Sequence, residues 1–248
     1  MGQIDNLISK NWIYPATITQ LAFGLRYQSH YKVSDLSGTV LDQILRAKGT
    51  PFGGDLFPLT QKQMYEHFLL NPDTDALLRL APQDTLLRLP LTTQDVGIVQ
   101  NAANDFQLFI LNPLQKITDL ENITRFGFLL QLDCKDSDLS PSPIKSYVPG
   151  EFPDANSLNM RFTKRLKTED GLLKQRINDY RYVIYTIEES EKGAIRLSLD
   201  YQYYFTPPLD SQDWKSKLFT DFVNQGLLYF QKEFTPWLRK HGRFREAA

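Results

Sequence analysis

The sequence predicts an α+β fold in which an antiparallel sheet is built from two pseudo-repeated β-α-β-β-β-α halves, with long helices packed on one face. Residues 18–25 and 123–130 are identical at four of eight positions, at an offset of 105 residues. Apolar residues also alternate strictly through 194–205, as in a half-buried strand, and recur every three or four positions through 93–116. Internal duplication explains the similarity, and chance resemblance between two amphipathic strands is the alternative.

The pattern of the first half predicts one β-α-β-β-β-α unit. A strand at 17–28 leads to an amphipathic helix at 34–47, for which Ser34 and Asp35 are capping candidates. Three short strands follow at 63–70, 75–81 and 84–91, and a second helix runs to about residue 116. This half covers residues 1–118.

The second half, residues 119–248, begins with a strand at 122–133. Four prolines within 137–157 argue against a full helix there. Strands are predicted at 157–166, 180–188 and 194–205, and a last amphipathic helix at 212–240. We expect the two halves to be fused into one globular unit.

Composition bounds the class of protein. The chain has 248 residues, 42% of them hydrophobic, which excludes a disordered protein. Its net charge of −1 gives no overall electrostatic attraction to nucleic acid or anionic lipid. Its apolar stretches are shorter than the roughly 18 residues of a membrane span. Its single cysteine, Cys134, excludes an internal disulfide. We expect a cytoplasmic protein that does not bind a membrane.

Known catalytic and phosphate-binding motifs do not occur in the sequence. It has neither a Walker-type phosphate loop nor a Gly-x-Ser-x-Gly nucleophile turn, and His30, His67 and His241 each stand alone. We therefore predict no metal and no cofactor, and favour a non-catalytic protein. An enzyme whose site is assembled from distant residues remains an alternative.

Two groups of residues are candidates for binding. Basic residues are concentrated between 161 and 181, and tyrosines on the two strands that follow. The candidates are Arg161, Lys164, Arg165, Lys167, Lys174, Arg176, Tyr182, Tyr201 and Tyr203. Cations favour an anionic partner, and tyrosines give large contact areas or stack on bases. A solvated charged face and ordinary cross-strand packing are the structural alternatives.

Several short motifs carry a resemblance to a known family. They are Tyr14-Pro15 before the first strand, Arg125-Phe-Gly-Phe, Asp200-Tyr-Gln-Tyr, and the closing helix after Pro207-Pro208. With the order of elements, they make the chain resemble a sporadically distributed, uncharacterised bacterial family of about 250 residues. Gln20 stands where that family usually has an acidic residue. The resemblance implies no catalytic residues, and the patchy distribution implies an accessory or defence-associated gene. In outline the duplicated halves also resemble a TATA-binding-protein-like arrangement, which by itself implies no function.

The sequence thus predicts a binding or scaffold protein that holds a protein partner or a second copy of itself, as an accessory subunit of a bacterial complex. Nucleic-acid or nucleotide binding through the basic 161–181 region is the alternative.

Overall fold

The computed structural model describes residues 13, 16–48, 51–52, 55–135, 159–167, 172–173, 176–189, 194–210, 213–214 and 217–241, the last five and residue 135 by backbone only. The proline-rich stretch predicted at 137–157 lies outside these residues, as do Lys174, Ser211 and Gln212.

Within the described residues, nine strands form one antiparallel sheet, which confirms the α+β class and the antiparallel pairing. The strands are β1 (Thr17–Tyr27), β2 (Leu59–Gln63), β3 (Glu66–Asn71), β4 (Ala76–Leu80), β5 (Asp84–Thr93), β6 (Ile123–Lys135), β7 (Asn159–Lys167), β8 (Tyr180–Glu189) and β9 (Ala194–Leu209). Their order is β2-β3-β4-β5-β1-β6-β9-β8-β7. Strands β1 and β6 therefore meet near the centre, and each half of the chain builds outward from its own first strand.

Helices pack on one face of this sheet. They are α1 (Tyr31–Arg46), α2 (Gly97–Asp105), a π-helical segment (Phe106–Leu111) that continues into α3 (Asn112–Thr118), and α4 (Leu218–His241). Helix α1 contacts β3 and β4, and α4 contacts β6, β9 and α2. We call this side the helix face and the opposite side the open face, because no described helix packs on the latter.

Large aromatic side chains fill the core between the helices and the helix face. Phe126 makes edge-on contacts with Phe219 and Phe222 of α4, at ring centroid distances of 5.2 and 5.5 Å. Tyr201 stacks on Phe222 at 5.2 Å. The alternation of β9 explains this packing, since every second side chain from Ile195 to Phe205 is buried. The sheet therefore has one apolar face that the helices cover.

Two local predictions are wrong in detail. The segment predicted as a single strand at 63–70 is a hairpin, because Met64 has a φ of 50° and turns the chain between β2 and β3. The pair Met64-Tyr65 contains no Gly, Asn or Pro, so the sequence carries no turn signal there. Helix α1 begins at Tyr31, its N-cap His30 makes no side-chain capping bond, and the Ser34 hydroxyl donates to the Tyr65 carbonyl instead.

Candidate binding face of the sheet

The open face is defined by the register of the strands. Lys167, Tyr180, Tyr204, Arg125 and Arg26 lie side by side across five strands from β7 to β1. The helix face carries the intervening residues. Successive side chains of a strand point to opposite sides, so these pairings assign each residue to one face.

Apolar side chains form a patch on the part of the open face that β2 to β5 contribute. This apolar patch consists of Leu59, Leu70 and Leu77, which lie side by side in the register, and of Phe68 and Leu86, which lie on the two sides of Arg79. Leu59 is 48% exposed and the other four are partly exposed. None of the five belongs to the core cluster or packs against it. An apolar cluster that the described helices leave uncovered is typical of a protein contact surface.

Cations line the opposite end of the open face. Arg161, Arg165 and Lys167 project from the open side of β7, and all three are exposed. None of them forms an ion pair with an acid among the described residues. We call these three residues the cationic row. At about 3.3 Å per residue it extends about 20 Å along the strand.

Aromatic and guanidinium groups form a ladder between the cationic row and the centre of the sheet. The Arg165 guanidinium lies 4.5 Å from the ring centroid of Tyr180, and that ring stacks on Tyr204 at 4.8 Å and 8°. Arg125 lies 5.6 Å from the Tyr204 ring on the next strand. Tyr182 meets Tyr180 and Tyr204 edge-on, at 5.6 Å from each. Because β8 lies between β7 and β9, Arg165 and Tyr204 cover the two sides of the Tyr180 ring.

Polar side chains next to this ladder form a hydrogen-bond network. Gln202 Nε2 donates to Asp200 Oδ2 at 2.6 Å, and Gln202 Oε1 accepts from Tyr204 Oη at 2.7 Å and from Arg125 at 3.2 Å. Burial raises the pKa of the Asp200 carboxyl, although the Gln202 bond and the charges of Arg125 and Arg161 oppose the rise. Asp200 also borders a shallow depression of about 240 Å³.

The nine residues predicted for binding divide between different environments. Arg161, Arg165, Lys167 and Tyr182 lie together on the open face. Lys164 is on the helix face, where its Nζ donates to Glu233 at 2.9 Å. Arg176 is anchored to buried Asp179 and to Asp213, at 3.1 and 3.0 Å.

Tyr201 and Tyr203 are fully buried on the helix face. The Tyr203 hydroxyl donates to Asp179 at 3.1 Å, and Arg181 lies 3.4 Å from the Tyr201 hydroxyl. Both tyrosines therefore stabilise the core and are not part of the candidate binding face.

The apolar patch was missed by the sequence reasoning, although a signal for it exists. Three strands of the first half, β3, β4 and β5, contain two consecutive leucines, at 69–70, 77–78 and 86–87. One leucine of each pair must face away from the core, because consecutive side chains point to opposite sides of a sheet. Leu69, Leu78 and Leu87 are the buried members.

Other classes of site find little support in the described residues. They contain no group of three or more His, Cys, Asp or Glu side chains that could hold a metal ion. No described helix combines the length and the apolar character that crossing a bilayer requires. No family model matches the chain, and no curated protein matches it significantly.

Proposed function

We propose that this chain is a binding protein that holds a partner protein on the open face of its sheet. The observation that carries the proposal is the combination of the five-residue apolar patch with the cationic row on the face that no described helix covers. Desolvated apolar groups at the centre of an interface with charges at its margin are the usual anatomy of protein contacts.

The apolar patch favours a protein partner over a nucleic acid. Proteins bind nucleic acids mainly through the phosphates, and the apolar side chains of Leu59, Phe68 and Leu70 have neither a positive charge nor a hydrogen-bond donor for a phosphate. Base stacking needs free ring faces, but Arg165 and Tyr204 cover Tyr180, and Arg125 lies over Tyr204. The partner that fits this face has an apolar surface bordered by carboxylates on the side that meets β7.

Site-specific photo-crosslinking in cells that naturally express the chain tests this proposal. A photoreactive residue at position 70 samples the apolar patch, and one at position 108 samples an exposed site on the helix side, where Leu108 is 55% exposed. We expect one discrete crosslinked polypeptide from position 70 and none from position 108. Leu77→Glu should abolish that product, whereas Leu108→Glu should leave it intact. Equal products from both positions would contradict the proposal.

Nucleic-acid binding is a second candidate, which the cationic row favours because its three residues form no ion pair with an acid in the described part of the chain. Filter binding at low salt tests it with the wild type and the triple variant Arg161→Glu, Arg165→Glu, Lys167→Glu. Retention that the triple variant loses, and that falls steeply as salt increases, would support this candidate. Absence of retention by the wild type would exclude it.

We also propose that the two halves are copies of one β-α-β-β-β-α unit with its helices on one face, and that β2 is an addition to the first copy. The matching segments at 18–25 and 123–130 and the mirrored strand order support this origin. An alignment of relatives tests the duplication. Large apolar residues at both 23 and 128 in these relatives would support it, and independent variation of the two positions would contradict it.

The resemblance to a sporadically distributed bacterial family supports a role as a cytoplasmic accessory subunit of a defence-associated complex. Co-purification of the chain from its source with other subunits tests this role. Recovery of the chain alone would contradict it.

A further inference from the structure

The two edges of the sheet differ in how they are protected against pairing with another strand. Edge strand β7 carries four cations in nine residues, namely Arg161, Lys164, Arg165 and Lys167. Edge strand β2, Leu59-Thr-Gln-Lys-Gln63, carries only Lys62, and all five of its residues are exposed. It has no proline, and its pairing with β3 has no bulge. Charges, prolines and bulges are the devices that keep sheet edges from associating, so β7 is protected and β2 is not.

We propose that β2 pairs antiparallel with β2 of a second copy of this chain, with Gln61 of both copies at the two-fold axis. The register follows from the hairpin. A two-residue turn closes on the pair Gln63 and Glu66, which places the N–H and C=O groups of Leu59, Gln61 and Gln63 toward β3. The backbone groups of Thr60 and Lys62 then point outward. Centring the pair on Gln61 sets Thr60 opposite Lys62 of the second copy, so four backbone hydrogen bonds form.

The charges around this edge are compatible with self-association. Lys62 meets the neutral Thr60 of the second copy, so no like charges lie opposite each other. The same register brings Met64 next to Pro58 of the second copy, and Met64 is 86% exposed in the single chain. Four cations on β7 oppose its pairing with β7 of another copy. The assembly therefore closes at two copies and does not extend into an open sheet.

This inference deepens the proposed function without depending on it. The apolar patch of each copy begins at β2 with Leu59, so the pairing joins the two patches into one continuous open face. A partner bound there would meet a doubled apolar surface, with a cationic row at each far end. The contact through β2 itself is small, and we expect a reversible dimer.

Disulfide trapping of the full chain tests the register. Non-hydrogen-bonded antiparallel pairs hold their Cα atoms about 4.5 Å apart, within the range a disulfide requires. Gln61→Cys should therefore give a covalent dimer on mild oxidation. Gln63→Cys should not, because the two sulfurs would be four residues out of register. Thr163→Cys, at the middle of β7, is the control on the protected edge, and native Cys134 is buried.

Sedimentation velocity over a concentration series measures the dimer directly. Thr60→Pro removes an outward N–H from each copy and leaves the β2–β3 hydrogen bonds intact, so we expect the dimer dissociation constant to rise at least about fivefold. A chain that stays monomeric at every concentration would overturn the proposal, as would Thr163→Cys crosslinking as readily as Gln61→Cys. A chain that dimerises through β2 but gives no crosslinked partner protein from position 70 would refute the proposed function and leave the dimer proposal standing.

Discussion

Phe23 and Phe128 lie directly opposite each other on the two central strands, with ring centroids 5.9 Å apart. The offset of 105 residues that relates 18–25 to 123–130 also relates these two phenylalanines. Under the proposed duplication the pseudo-two-fold axis of the sheet therefore passes between them. Both rings are buried, and Phe23 also contacts Phe106 and Phe219 at 5.5 Å each.

We expect this pair to be a main source of stability. Phe23→Ala or Phe128→Ala should lower the free energy of unfolding by about 3–5 kcal/mol, because each leaves a cavity among rings that cannot collapse. Urea denaturation of each variant measures the loss. The double variant should lose less than the sum of the two single losses, since the residues are in contact. Leu108→Ala, at an exposed site, should change stability by no more than about 0.5 kcal/mol. Strict additivity would show that the two rings are not coupled.

Two helical glycines should respond in opposite ways to replacement by alanine. A Cβ on Gly226 of α4 would lie 2.7 Å from Phe128 Cδ1 and 3.0 Å from Tyr201 Cδ1, and both rings are buried. Gly226→Ala should therefore destabilise the protein by about 1–3 kcal/mol, despite the better helix propensity of alanine.

Gly38 of α1 is the matched control, since a Cβ there would meet nothing within 4 Å. Gly38→Ala should stabilise by about 0.5–1 kcal/mol. Thermal unfolding of both variants checks the contrast. Stabilisation of both would show that α4 does not approach β6 and β9 this closely.

The alternation of apolar and polar side chains along β9 explains why much of the fold could be predicted from the sequence. Its apolar side chains recur at every second position, and the same pattern assigns Tyr201 and Tyr203 to the core and Tyr204 to the open face. Residue type alone grouped Tyr201 and Tyr203 with Tyr182 as binding candidates, whereas the position of each residue in the alternation of its strand separates them.

Polar contacts between residues far apart in the chain could not be predicted from the sequence. The buried Gln107 of the π-helical segment accepts a hydrogen bond at 3.0 Å from the Phe219 amide in the first turn of α4. No local pattern predicts a bond across 112 residues. The β2–β3 hairpin was missed for a different reason, because Met64 adopts a left-handed conformation without a residue that favours it.

Asp179 anchors the segment before β8, and its removal should be costly. Its side chain is fully buried and accepts hydrogen bonds from Arg176 Nε at 3.1 Å, Tyr203 Oη at 3.1 Å and the Thr206 amide at 2.7 Å. Asp179→Ala would leave Arg176 Nε and the Thr206 amide without their acceptor, and we expect a loss of about 3–5 kcal/mol. Chemical denaturation measures it.

Asp42 provides the matched control for this network. It pairs with Arg46 at 2.7 Å, but the two side chains are 57% and 79% exposed. Asp42→Ala should cost no more than about 0.5 kcal/mol, because exposed ion pairs contribute little. Similar losses for the two variants would contradict the role assigned to Asp179.

The pH dependence of stability should reveal the Asp200 carboxyl. Burial raises its pKa above the ordinary value of 3.8, so the folded state disfavours the carboxylate that the unfolded chain tolerates. At neutral pH this carboxylate lowers stability. As the pH falls through the raised pKa the group becomes protonated in the folded protein, and the penalty is relieved progressively down to 3.8.

Asp200→Asn removes the titrating group and keeps an oxygen that can accept the bond from Gln202. We expect the variant to be more stable than the wild type at neutral pH, with a difference that shrinks as the pH is lowered. Urea denaturation of both proteins along a pH series measures this difference, and Asp73→Asn at an exposed turn controls for the loss of one negative charge. A difference that stays constant with pH would show that the folded state leaves the pKa of Asp200 unchanged. If the stability of Asp200→Asn relative to the wild type instead increases as the pH is lowered, Arg125 and Arg161 outweigh burial and lower the pKa of Asp200.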